Sequence, residues 1–263
     1  MPDAEPVRKE RGQEVKLAYT EYGAGRPLVL IMGLGAPGAA WEPHTAVWSR
    51  NFRCLAADNR GAGNSPAPPG PYTTAEMADD YADLIDGLGL GPVRVAGISM
   101  GGAIAQELAL RHPDMVSRLV LVASWARCDP HTAEIFRTLP RIWDRPEAAT
   151  ALLQWLIRTP GWFAAHRHEL LAERTAPDRM SCSAFGAQAA ACVSHDALDR
   201  LGGIRVPTLV TAGDADLFVP PRLSREIAEA VPGATLELFS GAGHTHHWEQ
   251  LDRFNALVEE WLR

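Results

Sequence analysis

The chain has 263 residues, 46% hydrophobic and 22% charged, with a formal net charge of −7; this suits one large α/β domain, or one domain with an insertion, and excludes a disordered or fibrous chain. With an acidic balance and no run of Lys or Arg, no nucleic-acid partner and no membrane surface is expected. Cys54, Cys128, Cys182 and Cys192 contain no C-x-x-C pair, and no stretch approaches the roughly 18 apolar residues of a membrane span, so neither metal nor disulfide framework is expected and the protein reads as cytoplasmic.

In chain order, residues 1 to about 13 read as a polar leader, followed by a strand over Val15 to Tyr22. Short apolar runs closed by Gly, Asp or Pro follow at Pro27 to Met32, Arg53 to Ala57, Val93 to Ala96, Leu119 to Ala123, Thr208 to Thr211 and Thr235 to Phe239. Runs this short, without strict alternation, are typical of strands covered on both faces. Between them, helical spacing predicts helices over Trp41 to Arg50, Thr74 to Leu88, Met100 to Arg111, Pro221 to Ala230 and Leu251 to Leu262. Strand and helix alternate, which implies right-handed βαβ units and a mostly parallel sheet flanked by helices. From Ala126 to Arg205 that rhythm stops: no strand pattern is visible and aromatic residues recur at helical spacing, so residues 1–125 and 206–263 are expected to form one core and residues 126–205 a helical insertion.

The chemistry centres on Gly97-Ile98-Ser99-Met100-Gly101, directly after one strand run and directly before a helical run. Small residues at both ends let a serine occupy a sharp strand-to-helix turn with its hydroxyl exposed. A serine hydroxyl needs a base, and an imidazole with a pKa near about 6.5 is the natural one. Among nine histidines, His244 in SGAGHTHHWE follows the last strand run, where a Ser, acid, His order places the base. His246 and His247 then read as loop or pocket-rim residues; their spacing fits no recognised zinc pattern. Asp214 and Asp216 follow the strand TLVTAG. Asp216 is preferred as the acid, with Asp129 a third candidate. The developing oxyanion needs two backbone donors, each worth about 2.7 to 4 kcal/mol in comparable enzymes. The amides of Met100 and Leu34 are the expected pair.

Together these residues resemble the α/β-hydrolase superfamily from Pro27 to Trp261: GISMGG is similar to its nucleophile turn, DNRGAGNS at 58–65 to a second family segment, and GDADLFVP and GAGHTHHWE to its acid and histidine loops. The resemblance implies an α/β-hydrolase fold with a helical cap inserted before the acid strand, as in small esterases, enol-lactonases, carbon–carbon bond hydrolases and cofactor-free haloperoxidases. MGLGAPGAAW further resembles methylesterases acting on aromatic polyketides. Many relatives carry His-Gly where this chain has Met32-Gly33, a change that leaves the Leu34 amide in place.

The expected activity is hydrolysis of an ester or lactone of a mostly hydrophobic small molecule through an acyl-enzyme, without a cofactor. Trp125, Trp143 and Trp162 are the expected substrate contacts, and the 58–65 loop is expected to be structural, braced by Asp58 and Arg60. Two rival readings are another reaction on the same fold, such as carbon–carbon hydrolysis, perhydrolysis, a lyase or a cyclase, and a ligand-binding protein without catalysis.

Overall fold

The structure, a computed structural model, describes residues 15–174 and 180–263. The leader expected over residues 1 to about 13 lies outside the described residues. Seven strands form one sheet: β1 (Tyr19–Tyr22), β2 (Arg26–Ile31), β3 (Phe52–Ala57), β4 (Val93–Ile98), β5 (Val116–Val122), β6 (Thr208–Gly213) and β7 (Thr235–Phe239). Their spatial order is β1-β3-β2-β4-β5-β6-β7. β1 runs antiparallel to β3 and all other neighbours are parallel. The first strand is shorter than expected. Ala18 bonds to the loop after β3 instead of continuing a ladder, its carbonyl accepting from the Asp58 amide at 2.8 Å and its amide donating to Ser65 Oγ at 2.9 Å.

Eleven helices lie among the described residues: α1 (Glu42–Trp48), α2 (Thr74–Gly87), α3 (Met100–Arg111), α4 (Pro130–Thr138), α5 (Pro146–Ile157), α6 (Pro160–Ala165), α7 (Arg167–Glu173), α8 (Cys182–Ser194), α9 (Pro221–Ala230), α10 (His246–Glu249) and α11 (Leu251–Leu262). Local chemistry starts several of them. Thr73 and Glu76 form a reciprocal capping box at α2, Asp129 accepts the Thr132 amide at α4, and Ser181 accepts the Ala184 amide at α8.

The period of two along each strand sorts apolar residues between two cores. Val29, Ile31, Val95, Leu119, Leu121 and Val210 join the cluster that includes α2 and α3, whereas Leu28, Leu30, Ala96, Ile98, Val120 and Val122 join the one beneath α1 and α11. Burial on both faces explains why the strand runs do not alternate with polar residues.

Two features of this topology place the site. The chain leaves β2 for β3 on one side and returns to β4 on the other, which opens a crevice at the carboxyl ends of β2 and β4. All five helices from α4 to α8 lie between β5 and β6. That segment is pinched at its base by an antiparallel bridge between Arg127 and Asp196, with the Ala197 amide donating to the Ala126 carbonyl at 2.7 Å. No helix among the described residues is long and apolar enough to cross a membrane.

Candidate active site

Because β4 ends at Ile98 and α3 begins at Met100, Ser99 alone makes the turn. Its backbone sits at φ 55°, ψ −119°, a conformation that costs an L residue energy and persists only when its surroundings enforce it. They do so here. A Cβ at Gly97 would lie 2.2 Å from the Gly101 carbonyl oxygen, and one at Gly101 would lie 2.1 Å from that of Ile31, so both positions admit only glycine. The end of β5 completes the clamp: Ser99 donates its amide to the Val122 carbonyl at 2.8 Å, and its own carbonyl accepts from Ser124 Oγ at 2.9 Å.

Ser99 and His244 both line a cavity of about 120 Å³. His244 Nδ1 stands 2.8 Å from Asp216 Oδ2, while Asp216 Oδ1 accepts the amides of Phe218 at 2.8 Å and Val219 at 2.9 Å. Three bonds fix the carboxylate plane and, through it, the ring. In the tautomer whose Nδ1–H donates a hydrogen bond to this carboxylate, His244 keeps Nε2 as an acceptor.

The rival carboxylates are occupied elsewhere. Asp214 ties down the turn after β7, accepting from Ser240 Oγ at 3.0 Å and the Gly241 amide at 2.7 Å. Asp129 caps α4 and pairs with Arg222.

His246 and His247 are both fully buried; His247 borders the cavity, as the sequence suggested, whereas His246 does not. The short helix α10 begins at His246 and turns the rings inward, where His246 Nε2 meets Thr211 Oγ1 and His247 Nδ1 meets His44 Nε2, each at 2.9 Å. The three histidines of this loop therefore have three different partners. Burial pushes the imidazoles of His44 down to about 4 and of His246 to about 3, so both stay neutral near pH 7.

Met32, Gly33 and Leu34, just after β2, form the wall facing Ser99, and a Cβ on Gly33 would come within 3.3 Å of the Ser99 Cβ. Among the described residues, the amides of Leu34 and Met100 donate to no protein acceptor. The loop is braced from two directions. Asn59 Nδ2 donates to the Met32 carbonyl at 2.8 Å, and Asn59 Oδ1 accepts from the Tyr81 hydroxyl at 2.9 Å. Gln188 of α8 accepts the Gly35 amide at 3.0 Å and donates to the Arg60 carbonyl at 2.8 Å. Asp58 accepts the Gly38 amide at 2.7 Å, and Arg60 makes two 2.7 Å bonds to Asp80. The segment at 58–65 is thus a brace for the loop after β2. The braced atom at position 32 is a backbone oxygen, which any residue supplies. Gln188 was missed by sequence reasoning; its one signal was a lone polar residue within the apolar run AFGAQAAAC.

Apart from Thr245 and His247, the rest of the cavity is apolar, with Leu153 and Ile157 of α5, Phe185 of α8, Phe218 and Trp248 closing it. None of the three expected tryptophans lines it. Trp125 is fully buried against Phe136, with ring centroids 5.0 Å apart. Trp143 stands one layer back, stacked on Phe185 at 3.5 Å with its Nε1 donating to the Met180 carbonyl. Trp162 stacks on His166 at 3.8 Å. Aromatic density was visible in the sequence, but the facing of each ring was not.

A sequence model of the α/β-hydrolase fold matches residues 26–251, and the chain belongs to that family. A protein of Caulobacter sp. (strain K31), provisionally named carbamate hydrolase RutD, is 36% identical over 89% of this chain and 90% of its own length. One of Mycobacterium tuberculosis (strain CDC 1551 / Oshkosh), provisionally named non-heme bromoperoxidase BpoC, is 32% identical over 93% and 96%. The crystal structure of the enol-lactonase from Burkholderia xenovorans LB400 superposes with a TM-score of 0.87 at 29% identity, covering 94% of this chain and 96% of that one. The protein is accordingly a hydrolase of this fold.

Proposed function

We propose that the protein cleaves an ester or lactone bond of a mostly hydrophobic small molecule, with Ser99 as nucleophile, His244 as general base and acid, and Asp216 orienting the histidine. The observation that carries this reading is the 2.8 Å Asp216–His244 pair, opening on the same cavity as a serine held at positive φ. Ser99 Oγ attacks the carbonyl carbon while His244 Nε2 takes its proton. Asp216 stabilises the imidazolium, and the amides of Leu34 and Met100 donate to the oxyanion. His244 then protonates the leaving oxygen, and water, activated by the same ring, releases the acid from the acyl-enzyme. These side chains perform every proton transfer themselves, so the reaction as written uses no cofactor. We read the helical segment at 126–205 as a cap that supplies the apolar side of the cavity through Leu153, Ile157 and Phe185, which suits an apolar acyl or alcohol portion. A carbamate carbonyl would be attacked in the same way; the name of the Caulobacter relative supports this second reading.

The test is stopped-flow hydrolysis of p-nitrophenyl butyrate, with aliphatic lactones and a p-nitrophenyl carbamate alongside. A burst of nitrophenolate in the wild type, and a fall of about 10⁴-fold or more in kcat for Ser99→Ala, is the expected result. An unimpaired Ser99→Ala enzyme rejects the reading, and turnover of the carbamate alone moves the assignment to the second.

A further inference from the structure

A second cavity, of about 380 Å³, is lined by chain neighbours of residues around the first: Ile157 and Phe218 line the one around Ser99, and Arg158 and Leu217 line the other. Two observations about this second cavity stand apart from the hydrolytic site. The first is Arg158, only 8% exposed. Its guanidinium carbon lies over the rings of Trp162 at 4.3 Å and Trp248 at 4.6 Å. Stacking on indoles compensates the charge but provides no acceptor in the guanidinium plane, and Nε and Nη1 are buried without a hydrogen-bond partner among the described residues. Glu173 and Glu249 are near enough to favour the cation. Glu249 accepts from the hydroxyls of Thr159 and Thr245 with its two oxygens, and Glu173 Oε2 accepts from Gln154 Nε2. Burial lowers the Arg158 pKa to about 10, which leaves it a cation at neutral pH. A buried cation with unsatisfied N–H groups is unfavourable until an acceptor arrives.

The second observation is apolar. Trp155 at 63% and Leu217 at 56% are the two most exposed of the large hydrophobic side chains among the described residues, and both line this same cavity, together with Phe163. A buried donor and an uncovered apolar rim in one recess are the two halves of a site for an amphiphilic anion.

We propose that this cavity binds a carboxylate-bearing small molecule, its carboxylate accepting from Arg158 and its apolar body covering Trp155, Phe163 and Leu217. Arg174, whose Nε donates to Gln154 Oε1 at 2.9 Å, stands on the same wall and adds positive potential. A singly charged organic acid fits better than phosphate: the two nearby glutamates favour the Arg158 cation and repel a multiply charged oxyanion, and most of the lining is apolar. The proposal does not depend on ester cleavage, because binding is read without turnover.

The experiment follows intrinsic tryptophan fluorescence and Tm while cyclohexanecarboxylate is titrated, with cyclohexylmethanol as its uncharged counterpart and sodium chloride as the salt control. A saturable change and a rising Tm with the carboxylate alone are expected in the wild type. Arg158→Lys keeps the charge but loses the planar fork and binds at least about tenfold more weakly, and Arg158→Gln abolishes saturation. Leu217→Glu, at an exposed position that does not threaten folding, also weakens binding at least about tenfold by charge repulsion. Equal responses to acid and alcohol, no saturation in the wild type, or binding unchanged in Leu217→Glu overturns the proposal. Competition with p-nitrophenyl butyrate tells whether the acid is part of a substrate or a separate effector; binding stands in either case.

Discussion

The two sides of the cavity are built by different physics. On the side of the sheet, Ser99, the loop from Met32 to Leu34 and the Asp216–His244 pair are fixed by backbone: a strained turn, glycines that touch carbonyl oxygens and carboxylates that bind amides. On the side of the helical segment, Leu153, Ile157 and Phe185 are held by side-chain packing, as in the stack of Trp143 on Phe185. Backbone constraints admit few residues at each position, whereas packing admits any side chain of similar volume. The side that holds Ser99 and His244 is therefore tightly constrained and the side of the helical segment open to change.

That contrast can be broken at several points. The largest effect is expected for Asp216→Asn, which gives His244 the wrong tautomer and lowers kcat by about 10³- to 10⁴-fold, against a few-fold at most for Asp214→Asn; steady-state kinetics of the pair separates the two acids. Gln188→Leu strands the Gly35 amide and the Arg60 carbonyl, so kcat is expected to fall about tenfold with little movement in KM, together with a lowered Tm. A smaller effect is expected from Phe185→Leu: the preference between short and long acyl p-nitrophenyl esters shifts about three- to tenfold, whereas Trp125→Phe leaves it unchanged. That contrast sharpens the difference between wall and core.

The pH dependence of stability tests the buried histidines. His44 and His195 have folded pKa values pushed to about 4 by burial and His246 to about 3, all below the ordinary value. A folded value below the unfolded one means stability that is complete above about pH 6.5 and is lost as pH falls toward the folded values, each histidine costing about 1.4 kcal/mol per pH unit in that window. Tm is expected to be flat from pH 8 to 7 and to drop steeply between pH 6 and 4. A Tm unchanged down to pH 4 contradicts this.

Much of the fold was legible because its signals are local. The runs at Thr208 and Thr235 and the helices starting at Met100, Pro221 and Leu251 begin where the sequence puts them. β5 ends one residue early, at Val122, because Ala123 turns to φ 48°. The turn at Ser99 and the loops carrying Asp216 and His244, which we propose as the acid and the base, were visible as turns and loops for the same reason: each is a short segment whose glycines or carboxylates act within a few residues. Gln188 acts across 153 residues on Gly35, and no spacing rule links the two. His246 meets Thr211, 35 residues away, and so lies buried off the cavity it was expected to border. The substrate wall was hidden because helical spacing places rings on faces without saying which face meets the cavity.

The most direct test of the account is rapid-quench mass spectrometry of the wild-type protein mixed with p-nitrophenyl butyrate. The account predicts one butyryl group per chain within the burst, mapped by peptide sequencing to Ser99 and absent from Ser99→Ala. An adduct on another residue, or turnover without any acylated protein, would contradict it.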